Sequence, residues 1–166
     1  IIKIRSEKII NTEDLTKIIN SVKKFKKNKI NNSTKIFQAL RIFVNKEVSE
    51  LINGLLNAFY LLPVNSMIVV ITFHSLEDKI VKFFFKNYSE IQNSSRYLPG
   101  NVENYQCFRL TKKKPITPSL KELKINPSSR SAKLRYAIKT SNECNFDEFK
   151  KKFKYLTDIE NLEFDK

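Results

Sequence analysis

His74-Ser-Leu-Glu-Asp78 gathers the only histidine of the chain, a serine and two carboxylates into one short run. Histidine has the side chain whose ordinary pKa lies closest to neutrality, so His74 is the candidate general base or acid. A satisfied histidine at a helix start is the competing reading. Ser75 and Asp78 have the spacing of a capping box, in which a serine oxygen accepts an amide hydrogen three residues on and the acid answers. Glu77 and Asp78 also place negative charge at the positive end of a helix dipole. These caps account for Ser75, Glu77 and Asp78 as builders of the turn, and no metal is needed to explain the acids. A serine triad is excluded because His74 and Ser75 are neighbours in a tight turn. Gly54 and Gly100 are the only glycines. A G-x-G-x-x-G or P-loop cradle cannot be written with them, so no cofactor-binding residue is assigned in this chain.

The elements around this run follow from its neighbours. Met67-Ile-Val-Val-Ile-Thr-Phe73 is apolar and β-branched, the pattern of a strand buried on both faces of a parallel sheet. Lys79 to Phe85 continues as a helix. Upstream, Phe37, Leu40, Val44, Val48, Leu51, Leu55 and Phe59 recur at steps of three and four, which predicts one long amphipathic helix from Thr34 to the stop at Leu62-Pro63. Asn11 or Thr12 caps a helix buried through Leu15, Ile18, Ile19 and Val22, preceded by a helical tail over Ile1 to Ile10. Lys23 to Asn32 is a basic connection and Ser89 to Asn104 a long polar loop. Tyr105 to Thr111 reads as a strand, followed by the basic run Lys112-Lys-Lys114. Thr117 to Leu123 reads as a short capped helix. In Ala132 to Lys139, Ala132, Leu134, Tyr136 and Ile138 alternate with Lys133, Arg135 and Lys139, predicting a half-buried strand with a basic outer face. Phe146 to Leu156 closes the chain as an amphipathic helix. The α-β-α rhythm indicates an α/β fold.

Against 17 Asp and Glu stand 31 Lys and Arg, a formal charge of +14. A polyanion such as nucleic acid is the partner such a surface fits, although an AT-rich genome would produce a similar composition. Cys107 and Cys144 lie far apart without a CxxC pair, which argues against both a zinc site and a disulfide framework and favours a reducing compartment. With no long apolar run and no signal-peptide pattern, the expected location is the cytoplasm, away from membranes. Ile1-Ile-Lys-Ile opens without Met in helix-like periodicity, so the chain is expected to be the remainder of a longer protein.

Three separated segments carry a resemblance. Ser33-Thr-Lys-Ile-Phe-Gln-Ala-Leu-Arg-Ile-Phe-Val-Asn-Lys-Glu47 is similar to the helix start ATRTFQALRI-VN-EL. Ile71 to Lys82, ITFHSLEDKIVK, is similar to ISFHSLEDRIVK. Lys114-Pro-Ile-Thr-Pro-Ser119 with Asn126-Pro-Ser-Ser-Arg-Ser-Ala-Lys-Leu-Arg135 is similar to KPI-PS followed by NPRSRSAKLR. Together they resemble the ribosomal RNA small subunit methyltransferase H family (RsmH, or MraW). The resemblance implies a class I, Rossmann-like methyltransferase sheet with an inserted helical domain, of which this chain is the C-terminal half. Residues 1–32 would be part of the insertion, 33–140 the later part of the methyltransferase domain, and 141–166 a C-terminal helix and tail. It also implies transfer of a methyl group from S-adenosylmethionine, held mainly by the other half, to N4 of a cytidine in the decoding region of 16S rRNA.

On that template His74 is the candidate catalytic residue. Lys35, Arg41, Arg130, Lys133 and Arg135 are candidates for RNA phosphate, with Arg41 equally able to pair with an acid of its own fold. Asn31-Asn-Ser-Thr-Lys35 stands where the family has His-Pro-Ala-Thr-Arg, replacing a guanidinium fork by a point charge. Ser128 stands where Arg is usual, and Val64-Asn65 replaces a Gly-Gly turn. The rival reading is a non-catalytic RNA- or ribosome-binding module without the cofactor half.

Overall fold

A computed structural model describes residues 11–22, 32–89 and 106–162. The chain divides into two units, residues 1–47 and 48–166. The expected helical tail over Ile1 to Ile10, most of the Lys23 to Asn32 connection, the polar loop beyond Ser89 and Gly100 lie outside the described residues.

In the first unit, α1 (Thr12–Val22) packs on α2 (Asn32–Asn45). Asn11 is the cap: its Oδ1 accepts from the Asp14 amide at 2.9 Å, and Asp14 Oδ2 accepts from the Asn11 amide at 3.3 Å. This reciprocal pair satisfies two donors that a helix start leaves over. Ile18 and Ile19 are buried as the periodicity requires.

The single long helix expected from Thr34 is two helices. The chain breaks at Lys46, which takes the left-handed φ of 51°, and α3 (Glu47–Leu61) begins beyond it. Leu40 and Val44, assigned to the buried stripe, are exposed. Uninterrupted, the helix would give the Val48 and Ser49 amides to its own preceding carbonyls. In the structure they donate instead to Glu160, whose Oε1 accepts from Val48 N at 2.9 Å and whose Oε2 accepts from Ser49 N at 2.8 Å and Ser49 Oγ at 2.6 Å. A buried carboxylate on a helix N-terminus gains from both the aligned amides and the dipole.

The other end of α3 is closed by a second distant charge. Pro63 has no amide hydrogen to give to the carbonyl of Phe59, four residues back. Lys139, 1% exposed, supplies the donor: its ammonium reaches Phe59 O at 2.8 Å and Leu62 O at 2.6 Å, and lies 4.5 Å from the Phe59 ring centroid. Asn65 then turns with φ 72°, a conformation asparagine tolerates better than most residues and the one a glycine would take without cost.

The second unit is mixed α/β. Its sheet has the order β1-β3-β2, from β1 (Met67–Thr72), β2 (Phe108–Arg109) and β3 (Lys133–Lys139). β3 is antiparallel to both neighbours, with Met67 opposite Ile138, Thr72 opposite Lys133, and Phe108 opposite Lys139. β1 and β2 are therefore parallel to each other. Two sequence expectations need correction here. β1 is not paired in a parallel ladder or buried on both faces: Ile68 and Thr72 are buried, whereas Met67, Val69 and Ile71 are 53%, 52% and 55% exposed. The faces of β3 are also reversed. Ala137 and Lys139 are its buried residues, and Lys133 and Arg135 share their side, turned toward α4 (Ser75–Asn87). Leu134, Tyr136 and Ile138 lie opposite Ile71, Val69 and Met67 on the other face. The basic positions turn inward because each finds a partner there: carbonyls for Lys139 and Asp78 for the other two.

Aromatic rings fill the core between α3, α4, the sheet and α6 (Asp147–Glu160). Phe84 is at its centre, with ring centroids 4.9 Å from Phe149, 5.1 Å from Phe108 and 5.2 Å from Phe146. Such offset and edge contacts add to the area term for burying large rings. Phe146, the residue before α6, makes no side-chain cap. The Tyr88 hydroxyl takes that part by accepting from the Phe149 amide at 3.0 Å. Burial, despite that hydrogen bond, pushes the Tyr88 phenol up to about 12.

Cys107 and Cys144 are joined in a disulfide, with Cα atoms 5.9 Å apart, against the expectation from their separation in sequence. The start of β2 and the end of β3 bring them together, where Thr140 N donates to Cys107 O at 2.9 Å and Thr140 Oγ1 to Gln106 O at 2.6 Å. A short helix α5 (Leu120–Ile125), capped by Ser119, and a 3-10 turn (Pro127–Ser131) lead into β3. No helix among the described residues is long and apolar enough to cross a membrane.

Candidate functional site

The chain leaves β1 at Thr72, turns through Phe73 and His74, and enters α4 at Ser75. The cap of α4 sits one residue earlier than the spacing predicts. His74 is the N-cap, in extended backbone (φ −135°, ψ 164°), and its Nδ1 accepts from the Glu77 amide at 3.3 Å. Glu77 answers: its Oε2 accepts from Phe73 N at 2.8 Å and His74 N at 3.2 Å, and its Oε1 lies 3.2 Å from His74 Nε2. An unprotonated imidazole nitrogen can accept as a serine hydroxyl would, which propensity rules for caps do not anticipate. Ser75 is exposed in the first turn and does not make the cap. With Nδ1 accepting, Nε2 is the nitrogen that carries the hydrogen.

Asp78 is also removed from the expected capping box. Its Oδ1 accepts from Arg135 Nε at 2.7 Å and its Oδ2 from Lys133 Nζ at 3.0 Å, tying α4 to the first half of β3. The Asp78 and Arg135 side chains are 13% and 11% exposed, that of Lys133 38%. Burial alone would raise the Asp78 carboxyl; the hydrogen bonds and charges of Arg135 and Lys133 outweigh it and hold the pKa below the ordinary aspartate value. Arg135 Nη1 also donates to Lys113 O at 3.3 Å. One carboxylate between two cations leaves the cluster positive.

The remaining candidates fall in both units. Lys35 is exposed in the first turn of α2. Arg41 makes a two-point contact with Glu47, Nε to Oε1 at 2.8 Å and Nη2 to Oε2 at 3.2 Å, so it has an acid of its own fold. Arg130 is exposed in the 3-10 turn that precedes β3. Sequence reading missed the joining of Asp78 to Arg135 and Lys133. The signal available for it was an acid on a helix face otherwise buried through Ile80, Val81, Phe84 and Phe85.

The family described as the MraW methylase family matches residues 1–140, which contain the whole His74 turn and the Asp78 cluster. Among curated relatives, the Ribosomal RNA small subunit methyltransferase H of Xanthobacter autotrophicus is 42% identical over 142 residues, covering 85% of this chain and 41% of its own length. The protein of that name from Bradyrhizobium diazoefficiens is 38% identical over 148 residues (89% and 45%). That from Ehrlichia canis is 44% identical over 141 residues (84% and 45%). The chain thus spans less than half the length of these relatives. The matched span takes in every described element from α1 to β3, and the chain belongs to the MraW methylase family.

Proposed function

We propose that this chain is the acceptor-side, C-terminal part of a class I, Rossmann-like methyltransferase that methylates N4 of a cytidine in the decoding region of 16S rRNA. The observation that carries the reading is the family match over residues 1–140. The sheet supports it: the outer face of β1 is apolar and exposed, and its far edge has no strand partner among the described residues. A strand of that kind suits the interior of a wider sheet. The His74 turn lies at the carboxyl end of β1, where open α/β sheets bind their ligands.

S-adenosylmethionine supplies the methyl group in this reading. Gly54, the one glycine among the described residues, sits within α3, and no glycine-containing strand-to-helix turn exists there to approach a cofactor closely. The described residues do not fit that cradle, so we assign the cofactor to sequence outside this chain and derive no step through it. This chain's part is to present the cytidine. The exocyclic amine of cytosine is a poor nucleophile because its lone pair is delocalised, which makes orientation of an extruded base decisive. His74, Glu77 and the Asp78–Arg135–Lys133 cluster hold the turn on which the base would rest. Because the Glu77 amide engages its Nδ1, we assign His74 first to positioning that turn. Lys35 and Arg130, both exposed, with Lys133, Arg135 and Arg41 once their acids are shared, are the cations offered to RNA phosphate.

The test is to express the gene product containing this chain in cells lacking the activity and to analyse small-subunit rRNA by mass spectrometry. Restored N4-methylcytidine is the expected result. Its absence, with the protein expressed and soluble, overturns the reading.

A further inference from the structure

The basic run Lys112-Lys-Lys114 and the lysines along α4 take no part in the His74 turn, yet the fold brings them together. A cavity of about 220 Å³ is lined by Lys82 and Lys86 from α4, Lys112 and Lys113 from the segment after β2, and Arg135 from β3. Phe85, Leu110 and Tyr136 complete its wall. Lys82 and Lys86 stand at i, i+4 and so share one face of α4. Among the described residues neither Lys82 nor Lys112 has an ion-pair partner. Arg135 is fixed at the base of the cavity by Asp78 and by the Lys113 carbonyl. Asp78, the acid that holds Arg135, is already shared with Lys133.

We propose that this cavity binds a phosphodiester of a single-stranded RNA segment that flanks the nucleotide presented at the His74 turn. Its volume is below the ~300 Å³ at which pockets for whole small ligands begin, and it suits a phosphate with its adjoining sugar atoms. The apolar wall lowers the local dielectric and strengthens each ammonium–phosphate attraction. At ~1.5 Å per residue, Lys82 and Lys86 lie ~12 and ~18 Å along α4 from His74. An extended single strand covers that distance in a few nucleotides. The inference rests on the reading that the partner is RNA, and it adds a contact distant from the target base.

The test uses the full chain and a fluorescently labelled single-stranded RNA of mixed sequence, followed by anisotropy between 50 and 200 mM KCl. K82Q/K112Q removes two exposed charges, and K121Q/K124Q on α5 removes two exposed charges away from the cavity. Circular dichroism and Tm confirm that both variants fold. With ~0.7 of salt slope lost per single-strand phosphate contact, K82Q/K112Q, which gives up the one phosphodiester, is expected to lower the slope by about 0.7. Its affinity then falls about 2.6-fold less than that of the parent chain over the same fourfold rise in salt. An unchanged slope, an equal change in K121Q/K124Q, or no binding of RNA by the parent chain overturns the proposal. So does binding through the same lysines to vesicles of about 30% phosphatidylserine with none to RNA. Restored N4-methylcytidine with an unchanged slope refutes this inference alone; a lowered slope without N4-methylcytidine refutes the methyltransferase reading alone.

Discussion

Asp78→Asn should both destabilise the second unit and remove a specific pH dependence. The substitution keeps size and one acceptor oxygen, but turns an amide NH2 or a neutral oxygen toward two cations that the carboxylate held at 2.7 and 3.0 Å. Leaving a buried charge without its partner costs about 3–5 kcal/mol. The cost here is reduced because Lys133 is 38% exposed and Arg135 keeps the Lys113 carbonyl, which brings it to about 2–3 kcal/mol. At roughly 2–4 °C per kcal/mol for a domain of this size, Tm falls by about 4–12 °C.

The pH dependence gives the test its force. A carboxyl whose folded pKa is depressed stabilises fully above its unfolded value near 3.9 and loses that contribution as pH falls through the folded value. The gap between the parent chain and Asp78→Asn should therefore be complete at pH 7 and shrink as the medium approaches about pH 2. Urea unfolding followed by circular dichroism at several pH values measures it. A gap of the same size at pH 7 and pH 2, or none at pH 7, would refute the assignment of Asp78 as the charge that holds β3 to α4.

Three further outcomes follow from the contacts described. Glu160→Ala strips two amides and a hydroxyl at the start of α3 of their acceptor and should cost about 3 kcal/mol, with faster hydrogen exchange at Val48 and Ser49 as its local sign. In an absorbance titration one of the six tyrosines should ionise only near about 12, and Tyr88→Phe should abolish that step. Because the folded phenol titrates above the unfolded one, stability should decline from pH ~10 upward in the parent chain and less in the variant. Cys144→Ser, or reduction of the Cys107–Cys144 bond, should lower stability by about 2–4 kcal/mol in urea titrations.

Much of the element order was legible because it rests on local signals: the Asn11 cap, the stop at Pro63 and the polar turn at His74. What escaped depends on partners distant in sequence. Nothing around Lys46 marks a helix break, since the reason for it is a glutamate at position 160. Alternation in β3 gives the right period and the wrong face: charge ordinarily marks the solvent side, whereas here Asp78 and two carbonyls make the inner side the better place for cations. β1 looked doubly buried because a run of apolar residues carries no record of what covers its outer face. The histidine of the site was legible as a residue and its geometry was not, since cap rules favour Ser75 and the imidazole nitrogen took the role.

Lys139 also ties together two positions that are remote in the chain. Its ammonium replaces an amide hydrogen that Pro63 lacks, so the need for a cation at 139 is created by the residue at 63. Tolerance at the two sites is therefore conditional. A chain with an N–H at position 63 can satisfy the Phe59 carbonyl through its own backbone, and position 139 is then freer to become apolar. With proline retained, the same change at 139 orphans a buried carbonyl. Mutational paths through this region have an order: the proline must go first.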